Sequence, residues 1–130
     1  MNGKTIAYWA TTGLFSFALG ASGIMYLTGQ MTEPLMALGY TAPHFVYVLG
    51  TWKVLGVIAL LTPGFPRIKE WAYAGFVFNL TGAAIAHIDA GDGMWAPPLV
   101  LLGLLIASYL LRPEANVLGS SDAEMRPATA

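Results

Sequence analysis

Four long apolar segments constrain the fold of this chain more than any other feature. They cover residues 5–27, 45–62, 71–88 and 95–111, and each is closely followed by a glycine or proline that favours the end of a helix. A helix of roughly 20 apolar residues crosses the ~30 Å hydrocarbon core of a bilayer. In addition, only 10% of the residues are charged, against about 25% in a typical soluble domain. The sequence therefore predicts an all-α integral membrane four-helix bundle formed by residues 1–112.

A short amphipathic helix is predicted between the first and second spans. Residues 31–40 read MTEPLMALGY, in which Pro34 suits a first helical turn. The side chains expected to face the bilayer from this helix are Leu35, Met36 and Leu38. At the other end of the chain, the small, polar and proline-containing residues 113–130 predict a disordered tail.

The N-terminus has an alternative interpretation as a secretory signal peptide. Lys4 precedes an apolar stretch, and Ala18-Leu19-Gly20 has the small residues of a cleavage site. The apolar stretch, however, continues past this site to Leu27. We therefore expect the first segment to be a membrane span.

The positive charges predict the orientation of the bundle. With four spans, the N-terminus, the connection between the second and third spans, and the C-terminus share one side of the membrane. That side carries every Lys and Arg outside the spans, namely Lys4, Arg67, Lys69, Arg112 and Arg126. Since Lys and Arg are enriched in cytoplasmic loops, we predict a multi-pass protein of the inner membrane with both termini in the cytoplasm.

Small residues at helical spacing predict the faces on which the helices pack. One stripe lies on the first span and contains Gly13, Ser16, Gly20 and Gly23. Another lies on the third span and contains Ala72, Gly75, Asn79, Gly82 and Ala86. Because membrane helices associate through close backbone contact, we expect both stripes to face inward. Gly20→Leu or Gly82→Leu should then destabilise the bundle by overpacking.

One charge interrupts the second span. Lys53 lies nine residues before Thr62, about 13 Å from the nearer membrane boundary, and Gly50 and Gly56 flank it on the same face. A lysine near the midplane faces the bundle and finds a partner, unless it is a tolerated residue without a role. We predict that Lys53 hydrogen-bonds Asn79 or a neighbouring helix, beside a pocket open toward the outer side. The predicted ligand-binding residues are Lys53, Asn79, Tyr47 and His87.

The extracytoplasmic ends of the spans carry a second polar group. Histidines and carboxylates together suit a divalent metal or proton transfer. Their spacing matches no metal-binding signature, and aspartates beside glycines also end helices and begin turns. We therefore expect no metal, and interpret four residues as a polar outer cluster next to His87: Glu33, His44, Asp89 and Asp92.

The composition excludes several classes of chemistry. The chain contains no cysteine, which rules out disulfides, thiolate metal sites and thiol redox chemistry by its own residues. Its net charge is −1 and no basic run is present, so we expect no nucleic acid partner.

Several short motifs occur together between residues 49 and 92. These are Lys53 followed by Gly56, the turn with Pro63 and Pro66, KEWAYAGF at 69–76, and Gly82-Ala83 before His87 and Gly91-Asp92. LMALGY at 35–40 and SYLLRP at 108–113 fit the same pattern. In these motifs the chain resembles the DoxX-like family of small bacterial four-helix membrane proteins. The resemblance implies that fold; the family is named after a subunit of a thiosulfate:quinone oxidoreductase, and most members have no assigned reaction.

Three functions are compatible with these features. In the first, Lys53 and Asn79 bind a quinone or a lipid head group inside the bundle, and the protein is a redox accessory. In the second, it is a non-enzymatic assembly subunit that docks other membrane subunits or a second copy, as relatives in the wider superfamily are thought to do. In the third, Lys53 serves a small transporter, which ranks last because no span is broken and no repeat occurs. We predict the first, with membrane lipid as a partner and no catalysis by the isolated chain.

Overall fold

The computed structural model describes residues 2–113, and within them the chain is all-helical with no β-strand. The helices are α1 (Gly3–Leu27), α2 (Thr32–Ala37), α3 (Pro43–Leu61), α4 (Pro66–Ala90) and α5 (Ala96–Leu110). The prediction of an all-α fold with a short helix after the first long one is confirmed. The predicted disordered tail lies outside the described residues except for Pro113.

The four long helices form a ring in which each helix runs antiparallel to its two neighbours. α3 packs most extensively on α1, α1 packs on α5, and α5 packs on α4, whereas α4 and α3 make the least extensive of these junctions. α2 touches α3. We call the end of the bundle that holds the start of α1, the end of α5 and the α3–α4 turn the termini end, and the opposite end the α2 end.

The bundle is apolar outside as well as inside. Its main core comprises Phe15, Leu19, Val57, Leu60, Tyr73, Phe76, Leu80 and Leu105. On the outer surface, large side chains such as Phe17 and Phe78 are 79% and 75% exposed. Of the helices in residues 2–113, α1 and α3 are long and apolar enough to cross a membrane, and α5 is a shorter apolar helix. Helices that are hydrophobic on every face are typical of a lipid environment.

Helix α4 extends beyond the predicted third span at both ends. It begins at Pro66, five residues before Trp71, because a proline fits the first position of a helix and the preceding Phe65 turns the chain at φ 53. It ends where Gly91 adopts a left-handed conformation at φ 66. The hydrophobic pattern indicated only the apolar part of this helix, because the first five residues of α4 include Arg67, Lys69 and Glu70.

The two small-residue stripes pack in different ways. In the α1 stripe, Ser16 and Gly23 are buried, as predicted, and a Cβ at Gly20 would touch Val57 at 3.8 Å. In the α4 stripe, a Cβ atom added at Gly75 or Gly82 would meet nothing within 4 Å. The expectation that the α4 stripe packs inward against a helix is therefore wrong at these two glycines, and a side chain at Gly82 would enter open space. Spacing defines a face of small residues, but it does not say whether a neighbouring helix covers that face.

Candidate functional site

A long open cavity, which we call the α3–α4 groove, separates α3 from α4. Its volume is about 940 Å³, and its lining runs from Ile68 near the termini end to Asp92 at the α2 end. The space exists because the α4 wall carries the small residues Ala72, Gly75, Gly82, Ala83 and Ala86. Exposed Trp52, Trp71 and Phe78 line it as well. The groove is thus an apolar cleft open on the surface of the bundle, the shape and lining typical of ligand sites.

Lys53 lies in the wall of this groove and is anchored to α1. It is only 7% exposed, and its Nζ donates a hydrogen bond to Ser22 Oγ at 3.0 Å. The same ammonium lies 3.8 Å from the centre of the Tyr26 ring, a cation–π contact. The prediction that Lys53 is buried with a partner on a neighbouring helix is confirmed, and that partner is Ser22 of α1, not Asn79.

The close approach of α1 and α3 positions this lysine. A Cβ at Gly23 would lie 3.1 Å from Lys53 Cβ and 3.3 Å from the carbonyl oxygen of Gly50. The absence of a side chain at Gly23 therefore leaves room for the first carbon of the lysine side chain. Gly50 and Gly56, which flank Lys53, have other neighbours: a Cβ at Gly50 would meet Tyr26 of α1, and one at Gly56 would meet Phe76 of α4.

Asn79 supplies a second polar group to the groove. Its side chain is half-buried on α4 and lines the cavity. Among residues 2–113, no side chain or backbone group hydrogen-bonds its amide. Because a partly buried amide normally has hydrogen-bond partners, Asn79 is placed to donate to, or accept from, a molecule in the groove.

His87 lines the groove near its α2 end and pairs with Asp92. His87 Nδ1 lies 2.6 Å from Asp92 Oδ2, and Asp92 Oδ1 accepts a hydrogen bond of 2.8 Å from the backbone N–H of Met94. The hydrogen bond from that N–H, and to a smaller extent the one with the His87 ring, holds the pKa of the exposed Asp92 carboxyl below its usual value. Tyr47, by contrast, is 49% exposed and does not line the groove.

The predicted polar outer cluster is not assembled as one site. Glu33, His44 and Asp89 are exposed and do not line the groove, so only Asp92 of that group joins His87 there. Within the described chain, no three His, Asp or Glu side chains are grouped so that they could hold a metal ion.

Sequence reasoning missed a buried cation at the termini end. Lys69 is fully buried, and its Nζ donates to the carbonyl oxygens of Ala59 at 2.7 Å and Leu60 at 2.9 Å. These carbonyls belong to the last turn of α3, where they have no intrahelical partner and where a positive charge is favourable. From the sequence, Lys69 serves only as one of the positive charges that predict the orientation of the bundle. Its place just beyond the Pro63/Pro66 turn, beside the end of α3, is the signal that indicates this contact.

The termini end is also joined by polar contacts among α1, α4 and α5. Ser108 Oγ lies 2.6 Å from Thr12 Oγ1 and 2.7 Å from the Tyr73 hydroxyl, and all three residues are buried. Nearby, Arg112 forms an ion pair with Glu70. Three helices are therefore held together at this end, whereas the α3–α4 junction stays open along the groove.

Comparisons with known proteins point to one family. A model of the DoxX-like family matches residues 10–108. An 86-residue stretch is 33% identical to cytochrome c oxidase subunit 1 from Mytilus edulis. That stretch is 61% of this chain but only 16% of the length of the oxidase subunit. No solved structure matches the chain.

Proposed function

The chain belongs to the DoxX-like family, and we propose that it is a membrane protein whose α3–α4 groove binds the polar head of an amphiphilic molecule, a quinone or a lipid. Family membership and the apolar helices support a membrane protein. The observation that carries the proposal is Lys53, a buried ammonium in the wall of an open apolar groove. A quinone bound there would make the protein a redox accessory.

The two ends of an amphiphile suit different parts of the groove. Its head group would accept a hydrogen bond from the Lys53 ammonium and would hydrogen-bond the Asn79 amide, which both line the same cavity. Its apolar chain would lie along the small residues of α4 and the exposed rings of Trp52 and Phe78. Burying the chain against these walls supplies affinity, and the two polar groups fix the position of the head.

We further propose that all four long helices span the bacterial inner membrane, with both termini in the cytoplasm. The cations Lys4, Arg67, Lys69 and Arg112 all belong to the termini end, which the positive-inside rule assigns to the cytoplasm. The 15 residues of α5 rise about 22 Å, so its flanking residues or a locally thinner bilayer would complete the crossing.

Cysteine labelling tests this topology directly, because the chain has no cysteine of its own. Arg67→Cys and Ala90→Cys each place one thiol at an exposed position, at the termini end and the α2 end respectively. A membrane-impermeant maleimide should label Ala90→Cys in intact cells and Arg67→Cys only after permeabilisation. Labelling of both in intact cells would refute the orientation and the four spans.

Native mass spectrometry of gently extracted protein tests the binding proposal. Gly82→Leu places a large side chain in the groove, at a position where an added Cβ meets nothing within 4 Å. Gly103→Leu is the matched control, because Gly103 is equally uncrowded but does not line the groove. The parent and Gly103→Leu should retain a co-purified amphiphile, and Gly82→Leu should lose it. Equal retention by all three proteins would refute the groove as the binding site.

A second candidate is an assembly or interaction subunit. The observation that favours it is the small-residue wall of α4, which suits close approach by a helix of another membrane subunit or of a second copy. The same mass spectra separate the two candidates. A retained polypeptide that Gly82→Leu displaces would support docking, whereas a retained small molecule supports amphiphile binding.

A further inference from the structure

We propose that the head group bound in the α3–α4 groove is a compact anion, and that the ligand is a long-chain carboxylate. This inference rests on the proposed function, since it specifies the chemistry of the amphiphile that the groove takes. It follows from the charges that line the groove, from the donors that Lys53 and Asn79 have available, and from the depth of Lys53 along α3.

Within residues 2–113, the charge of Lys53 has no counter-ion in the groove. Of the described residues that line the groove, Lys53 is the one Lys or Arg, and Asp92 is the one carboxylate. Asp92 lies at the α2 end, where it accepts the Met94 N–H and contacts His87. The groups that do contact the Lys53 ammonium, Ser22 and Tyr26, are both uncharged.

An uncompensated charge in an apolar wall selects for a ligand of opposite charge. Removing an ammonium from water is costly unless an anion and further hydrogen bonds compensate for it. A quinone carbonyl is neutral and supplies only an acceptor, whereas a carboxylate supplies both an acceptor and the missing charge. Hydrogen bonds in which both groups are ionised are also stronger than those with a neutral partner.

The available donors suit a carboxylate. The ammonium has three N–H donors, of which one is directed to Ser22 Oγ, so donors remain for a ligand. The Asn79 side chain adds an amide that is not hydrogen-bonded within the described residues and lines the same cavity. A carboxylate beside Lys53 would accept from its ammonium, and Asn79 adds a further donor to the same cavity.

The depth of Lys53 favours a small head group on a single chain. Lys53 is the eleventh residue of the 19-residue helix α3, about 15 Å from the end of that helix near α2. A two-chain phospholipid keeps its large, hydrated phosphate group at the membrane surface. A carboxylate is compact enough to enter the groove to this depth, with its chain lying along the apolar wall.

Head-group discrimination at constant chain length tests the inference. The protein in phosphatidylcholine nanodiscs is titrated at neutral pH with hexadecanoate and with hexadecanol, and binding is followed by native mass spectrometry. The parent should bind hexadecanoate about tenfold more tightly than hexadecanol, the factor expected for one charge-assisted hydrogen bond. Lys53→Met should bind both at the weaker level. Arg67→Met, which removes an exposed charge outside the groove, should behave as the parent.

The outcomes separate this inference from the proposed function. Three results would refute the proposal that the ligand is an anionic carboxylate, while leaving an amphiphile site in place. These are equal binding of acid and alcohol by the parent, tighter binding of a short-tailed ubiquinone, and retention of phosphatidylglycerol. If Gly82→Leu prevents the binding of each of these ligands, the groove is still the binding site. If no amphiphile binds the parent, the proposed function itself fails. The comparison on the parent protein decides the matter even if Lys53→Met does not fold.

Discussion

Helix α3 has two neighbours that it meets in opposite ways. Against α1 the two backbones nearly touch, because a Cβ at Gly50 would come within 2.8 Å of Tyr26 Cβ and 3.0 Å of the Gly23 carbonyl oxygen. Against α4 the helices touch at one place, where a Cβ at Gly56 would come within 2.6 Å of the Phe76 ring, but they diverge along the groove, where a Cβ at Gly75 or Gly82 would meet nothing within 4 Å. Glycine thus allows close packing of α3 on α1, whereas on the α4 wall it lines open space. The closed junction fixes Lys53, and the open one leaves space beside it.

The largest expected effect is at the closed junction. Gly50→Leu should destabilise the folded protein by about 3 kcal/mol, because the new side chain overlaps backbone and Cβ atoms of α1 that cannot move aside easily. Thermal unfolding in detergent measures this loss. Gly82→Leu is the control at the open junction and should unfold at nearly the parent temperature. Similar destabilisation by the two variants would remove the distinction between the junctions.

A smaller effect is expected at the termini end, where Lys69 fixes the last turn of α3 beside α4. Lys69→Met retains the length of the side chain but removes both hydrogen bonds to the carbonyls of Ala59 and Leu60. We expect a loss of about 2 kcal/mol, typical of a charged hydrogen bond that leaves a partner unsatisfied. Arg67→Met, two residues earlier and exposed, should leave the unfolding temperature unchanged. A Lys69→Met variant as stable as Arg67→Met would show that other contacts hold the turn.

The smallest effect concerns pH and the α2 end of the groove. The folded protein holds the pKa of Asp92 below its ordinary value of 3.8, so the ionised carboxylate favours the folded state. This contribution is complete above the ordinary value and is lost as the pH falls through the lower folded-state pKa. The unfolding temperature of the parent should therefore decline in this acidic range slightly more steeply than that of Asp92→Asn. Parallel pH profiles for the two proteins would contradict the contact.

Periodicity and hydropathy recovered the parts of the molecule that depend on local sequence. The apolar segments became α1, α3, α4 and α5, the Pro34 segment became α2, and Lys53 is buried as its depth required. The match of residues 10–108 agrees with the resemblance found in the motifs.

The rest depended on contacts between distant residues. The bond from Lys53 to Ser22 and the bonds from Lys69 to α3 each require knowing which helices are neighbours and how they are rotated. The small residues of α4 have the spacing of a packing face, yet they line a groove, because the width of the α3–α4 junction is set elsewhere in the bundle. For the same reason, nothing in the local sequence separated Tyr47, which lies outside the groove, from Asn79, which lines it.

Photolabelling with residue-level mapping tests the central claim, that the open junction of α3 is a binding site for an amphiphile. A long-chain acid and the matching alcohol, each with a diazirine on the chain, would be crosslinked to the protein in nanodiscs. Labels should concentrate on the groove residues Trp52 and Phe78 and decline with Gly82→Leu but not with Gly103→Leu. The internal standards are Phe17 and Val100, which are also exposed but lie outside the groove. Equal labelling of these four residues, unchanged by Gly82→Leu, would mean that the groove is ordinary lipid-facing surface.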